Sequence, residues 1–177
     1  MRWHTTNFQG ALNEAEDECL VIRKALDAIE RQTGKRPVGW LGPGLQETFD
    51  TPDVLADEGV RYVLDWVNDD QPYPMKVKSG SLTSVPYNNE INDIPIYIQG
   101  SGSSPEVLQR TQDAMTTLIA DQPQTMRVLP IAEHPFIMGQ PHRFPYFVTL
   151  LEYLTNHPGG VFMTATPAWE WYEGQAH

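Results

Sequence analysis

Apolar residues recur every three to four positions from about Asn13, where Cys19, Ile22, Leu26 and Ile29 fall on one face and predict a helix. Gly34 ends it, and Pro37 leads the chain out. Residues 38–41, Val-Gly-Trp-Leu, read as a short buried strand running into a Gly-Pro-Gly turn. Thr51-Pro52-Asp53 predicts a helix start, with a capping hydroxyl, a proline in the first turn and an acid near the positive end. That helix closes at Gly59. Residues 60–65 are rich in β-formers and predict the next strand, followed by a polar loop from Asn68 to Tyr73. A third strand is expected over 82–86, and a loop from Tyr87 to Asp93. Ser104-Pro105-Glu106 opens a helix to about Asp121. Residues 127–132 predict a strand, 143–155 a helix and 161–164 a strand. Thr166-Pro167 starts a last short helix that carries Trp169, Trp171 and Tyr172.

Helices alternating with short apolar strands are the signature of parallel strands covered by helices, an α/β fold. No repeat, low-complexity tract or linker interrupts residues 1–177, which read as a single domain. Four or five strands make an open sheet, whereas a closed barrel needs seven or eight. No strand precedes the first predicted helix.

Composition narrows the functions open to such a fold. A formal net charge of −11, with no run of Lys and Arg, argues against a nucleic-acid partner. Nothing approaches a membrane-spanning apolar run and the first ten residues hold no apolar signal region, so cytoplasmic residence is the expectation. The single cysteine, Cys19, excludes an internal disulfide and a cysteine-rich zinc site, and its helical position predicts a buried, inert thiol. Five Trp and seven Tyr suit a site that stacks on sugars or flat rings, or ordinary core packing.

In parallel α/β folds, polar residues at the C-terminal ends of strands are where function usually sits. Four groups fall on such ends: Trp40; Asp65-Trp66 with Asp69 and Asp70 beyond; Asn92 and Asp93; and Glu133-His134-Pro135. His134 is the leading catalytic candidate, because a histidine pinned by a following proline is placed for proton transfer near neutral pH. Asp65 could orient a partner or bind substrate. Asp69 and Asp70 could hold a divalent cation, although such pairs more often order a loop by accepting backbone N–H groups. His142 and Arg143, at a helix start, fit a cap or a binding contact, and His157 lies in a helix-ending turn. His4 alone cannot make a zinc site, which needs three protein ligands. No Gly-x-Ser-x-Gly elbow and no phosphate loop is present.

Three stretches, taken in order, resemble one family. The first is Gly34-Lys35-Arg36-Pro37-Val38-Gly39-Trp40-Leu41-Gly42-Pro43, with Glu47-Thr48 and the helix from Thr51 through Leu55 to Glu58-Gly59. The second comprises Tyr62 to Asp65, Asp69-Asp70-Gln71-Pro72-Tyr73, Val85-Pro86-Tyr87 and Asn92-Asp93. The third is His134-Pro135-Phe136-Ile137-Met138-Gly139-Gln140-Pro141-His142-Arg143. Together they resemble the polysaccharide deacetylases (NodB-like, carbohydrate esterase family 4), in the branch of peptidoglycan-deacetylase-like proteins and metal-independent allantoinases. The resemblance runs from about Trp3 to Tyr172.

It implies a partial (β/α) barrel of the NodB-like type that lacks the N-terminal strands. It also implies a hydrolase of carbon–nitrogen bonds, acting on an N-acetylated amino sugar or a small cyclic amide. In metal-dependent members a divalent ion such as zinc polarises the amide, an Asp acts as base and a late His, matched by His134, protonates the leaving amine. Trp40, Trp66, Asp69, Asp70, Asn92, His142 and Arg143 would then line the substrate site, with Asp65 beside His134 in the chemistry. The family's paired aspartates lie upstream of anything in this sequence, and the first of its metal-binding histidines is absent. The second falls on Trp3, as in the allantoinase-like branch, or on His4 if the alignment moves by one, which makes His4 the candidate metal ligand. Leu41 stands where many members carry Arg. The rival readings are a degenerate homologue that binds a sugar or ureide without cleaving it, and a chain whose exposed sheet edges pair with another chain. The branch commonly forms oligomers, so a homo-oligomer is a further expectation.

Overall fold

A computed structural model describes residues 17–121 and 126–175. The chain divides into two compact units, one comprising Met1–Val85 with Thr164–His177 and the other Pro86–Met163. The first contains α1 (Glu18–Thr33), β1 (Gly39–Trp40), α2 (Thr51–Asp57), β2 (Tyr62–Val63), β3 (Tyr73–Met75) and β4 (Leu82–Ser84). The second contains α3 (Glu106–Asp121), α4 (Pro135–Met138) and α5 (Phe144–Asn156). The last helix, α6 (Ala165–Glu173), belongs to the first unit.

The first helix forms as its periodicity predicts and buries Ile22, Ala25 and Leu26. Its positive end is capped by Asp17, whose carboxylate accepts the Leu20 N–H at 2.9 Å. At the other end Gly34 takes φ 72°, a left-handed value that suits glycine, and returns its N–H to the Glu30 carbonyl at 2.8 Å. Cys19 departs from expectation: it is only half-buried, on the rim of the packed face, with Sγ 3.9 Å from Glu58 Oε1. The expected start at residues 13–16 lies outside the described residues.

The sheet has the order β1-β2-β4-β3, with β1, β2 and β4 parallel and β3 antiparallel to β4. Gly39 faces Tyr62 and Trp40 faces Val63, and Val63 in turn faces Ser84. Trp40, Val63 and Leu82 pack with Ile22, Leu26, Leu55 and Val60 into one apolar core. Tyr62 packs against Trp169 of α6 with ring centroids 5.8 Å apart, and its hydroxyl bonds Thr166 Oγ1 at 2.8 Å. In the second unit Ile91, Ile96, Val107, Ile137 and Leu150 form a separate core.

Several expectations are corrected. The predicted strand over 127–132 shrinks to a single bridge between Ala132 and Asn92, and residues 161–164 take no strand pairing among the described residues. Val161 and Phe162 are exposed, and β-forming side chains make no strand without a neighbour to bond. Conversely, β3 was not expected: the polar loop is read as far as Tyr73, and Tyr73–Met75 pairs with β4 although it contains Pro74. It is an edge strand, where a missing N–H costs nothing. Two short helical turns also escaped the pattern: α4, and a wide turn over Ile94–Gln99. Thr51 does not cap its helix from outside; it lies within α2, and its hydroxyl oxygen accepts the Thr48 N–H at 2.7 Å.

Candidate functional site

The most organised polar cluster lies in the second unit, around His134. Asn92 is paired to Ala132 through the single bridge, and its side-chain oxygen accepts the Ile94 N–H at 3.0 Å. These bonds turn the chain so that Asp93 points inward, fully buried. A buried carboxylate must find donors. Asp93 takes both from one residue: Oδ2 accepts the His134 N–H at 2.5 Å and Oδ1 bonds His134 Nδ1 at 2.6 Å. His134 itself precedes α4, whose first turn folds back on its carbonyl (Ile137 N–H at 2.9 Å, Met138 N–H at 3.0 Å).

With Nδ1 committed to Asp93, the ring keeps Nε2 for proton exchange. Phe136 meets the ring edge-on, with centroids 5.6 Å apart, which limits its rotation. The imidazole is thus held by a carboxylate, a backbone bond and an aromatic contact, and its side chain is 37% exposed. A histidine held in this way can present one ring nitrogen in a fixed direction, as acid–base chemistry requires.

Glu133 completes the cluster. Both of its carboxyl oxygens are buried without a hydrogen-bond donor. Burial, then the charge of nearby Asp93, pushes its carboxyl up to about 8, so it holds its proton at neutral pH. Tyr97 is also held above its ordinary range, chiefly by burial. Its hydroxyl donates to the Ser104 carbonyl at 3.0 Å and accepts the Val107 N–H at 3.2 Å. The Arg143 guanidinium lies 4.5 Å over the Tyr97 ring. His142, beside it, is exposed.

In the first unit the predicted residues have a different setting. Trp40 is 2% exposed within the apolar core, and its indole N–H is unpaired. Asp65 is buried at the end of β2, while Trp66 next to it is exposed. Asp69 orders its own loop, Oδ1 accepting the N–H groups of Asp70 at 2.8 Å and Gln71 at 3.0 Å. Asp70 is half-buried in the same loop. His157 closes α5, its Nδ1 accepting the Gly159 N–H at 3.1 Å. His4 lies outside the described residues. Among the described residues no group of three or more His, Cys, Asp and Glu side chains could hold a metal ion, so the donor set there does not fit one. Nor is any described helix long and apolar enough to cross a membrane.

Sequence reasoning placed Asn92 and His134 but assigned no role to Asp93, Glu133 or Glu47. Asp93 and His134 are 41 positions apart, and no local pattern signals that pairing.

A mixed α/β protein with a carboxylate-clamped histidine is thereby defined, and comparison with known proteins gives it a fold type. No protein-family model and no curated protein sequence matches the chain. Solved structures do. PuuE allantoinase is similar with a TM-score of 0.77 and 23% identity, covering 89% of this chain and 53% of its own. A Pseudomonas aeruginosa PAO1 protein described as a polysaccharide deacetylase gives 0.78, 23%, 89% and 53% in the same measures. A Mycobacterium smegmatis protein, also described as a polysaccharide deacetylase, gives 0.75, 20%, 93% and 59%. The chain has the NodB-like deacetylase fold over a C-terminal portion, a partial barrel, and spans little more than half the length of these structures.

Proposed function

We propose that this chain carries part of the active site of a hydrolase acting on carbon–nitrogen bonds other than peptide bonds, with His134 as general acid and Asp93 as the group that orients it. The observation that supports this reading is the two-point clamp of Asp93 on His134, at 2.5 and 2.6 Å. In amide hydrolysis water adds to the carbonyl carbon, the C–N bond breaks, and the departing nitrogen must take up a proton. His134 Nε2 supplies it, and Asp93 steadies the imidazolium before transfer. Glu133, neutral beside the pair, leaves Asp93 as the acceptor for the ring N–H.

The substrate class on this reading is an N-acetylated amino sugar, as in deacetylation of a polysaccharide. A cyclic ureide amide is the second reading, favoured by the fold likeness to PuuE allantoinase. The test is hydrolysis by the purified chain of N-acetylated chito-oligosaccharide and of allantoin, each with and without zinc. Turnover of one substrate, lost in His134→Ala with the circular dichroism spectrum unchanged, is the expected result. A folded chain that turns over neither substrate overturns the claim of catalysis and leaves binding alone.

A further inference from the structure

The first unit contains a buried pair of carboxyl groups that the chemistry above does not use. Asp65 is only 7% exposed. Its Oδ1 accepts the Gly42 N–H at 2.7 Å, and its Oδ2 is buried without a donor. The nearby Glu47 carboxyl acts on it, so that Asp65 holds its proton more tightly. Glu47 Oε2 accepts the Trp66 indole N–H at 2.9 Å, while its Oε1 is likewise buried without a donor. Four carboxyl oxygens thus share two N–H donors. Two neighbouring carboxyls with so few donors favour keeping a proton. Burial is the main cause in both, and it carries the Asp65 carboxyl up to about 8. The other charged group acting on the pair is Glu18 of α1, which is occupied by the hydroxyls of Thr48 and Thr51.

The backbone is fitted to this pair. A Cβ at position 42 would stand 2.7 Å from Asp65 Oδ2, so only glycine admits the carboxyl there. The φ of Gly42 is an ordinary −68°, and close approach, not conformation, is the requirement. On the outer side the Trp66 side chain is exposed, with its one polar atom tied to Glu47. An exposed indole with a fixed edge presents a flat apolar face that costs little entropy to use.

We propose that Glu47 is the positioning residue that fixes the Trp66 indole as a platform for a ring carrying an uncharged amide. The choice of ligand rests on the hydrolase reading; the positioning role does not. A second negative charge on the pair drives the carboxyls apart and withdraws the acceptor from Trp66. Loss of the Glu47 side chain removes it outright.

The indole N–H resonance of Trp66, identified by its absence in Trp66→Phe, tests this across pH 5 to 9.5. One titration step is expected in the natural chain. Glu47→Gln should abolish that step and keep the hydrogen-bonded position, since a side-chain amide oxygen still accepts. Binding of chito-oligosaccharide or allantoin should weaken about tenfold in Trp66→Ala and Glu47→Ala, and less than threefold in Glu47→Gln. A Trp66 signal that does not titrate, or one that titrates equally in Glu47→Gln, overturns the positioning role. Titration with no binding of either probe overturns the ligand class and counts against the hydrolase reading, while the positioning role stands.

Discussion

At the scale of single residues, the second unit assigns one function to each polar group. Asp93 spends both oxygens on His134, so Asp93→Asn replaces one acceptor with a donor and breaks the clamp. In the proposed reaction, kcat should fall about 10²-fold or more, with thermal stability less affected than by removal of the whole side chain. Steady-state rates beside a melting curve check this. Glu133 makes the opposite prediction. Its folded-state carboxyl sits at about 8, above the ordinary glutamate value in an unfolded chain. Between those values the unfolded chain has released the proton and the folded one has not, so stability falls as pH rises through that window. Glu133→Gln should remove this loss and stabilise the protein by about 1–2 kcal/mol at pH 8 relative to pH 5, a figure discounted for the partial exposure of the group. Urea unfolding at the two pH values measures it.

At the scale of elements, close approach decides what the backbone accepts. A Cβ on Gly39 would lie 2.1 Å from the Tyr62 ring, across the β1–β2 pair. Tyr62 also bonds Thr166 and stacks on Trp169, so it cannot yield without disturbing α6. Gly39→Ala should therefore cost about 2–3 kcal/mol, read from the denaturation midpoint. Gly34→Ala strains only its own left-handed turn, with nothing within 4 Å of the new carbon, and should cost about 1 kcal/mol. The first helix was legible because capping and periodicity are local. The strand expected over 127–132 was not, because its partner, Asn92, gives it only one bridge. The edge strand β3 is three residues long and pairs with β4 alone, too short a run for alternation to show, and a sheet edge tolerates its Pro74.

For the whole molecule, the first unit is closed by α6, which returns from the C-terminal side of the described chain to cover β2 and β4. Glu173 accepts the Thr83 hydroxyl at 2.8 Å, and Trp169 covers Tyr62. Deleting residues 164–177 should lower the melting transition reported by the fluorescence of buried Trp40, and leave less of the β1–β2–β4 signature in circular dichroism. The balance of charge acts at this scale too. Asp65, like Glu133, is held up to about 8, and the net charge of −11 adds self-repulsion as the remaining acids ionise. Thermal stability should accordingly be highest in mildly acidic solution and decline toward pH 8.5. A midpoint that rises over that range would contradict the burial of these two carboxyls.

The sequence by itself determined the longer helices α1, α2, α3, α5 and α6, the three parallel strands β1, β2 and β4, and the glycine turns at Gly34 and Gly59, because each depends on neighbours within a few residues. It also singled out His134, Asn92 and Asp65, since polar residues after apolar strands are conspicuous in one dimension. The motifs carried the resemblance to NodB-like deacetylases that the fold then bore out. Only the tertiary structure decided what those residues meet. It joined Asp93 to His134 across 41 positions, put Trp40 in the core, and set Asp65 against Glu47 and not in water. Proton affinity and hydrogen-bond partners follow from burial and distance, and neither quantity exists until the chain has folded.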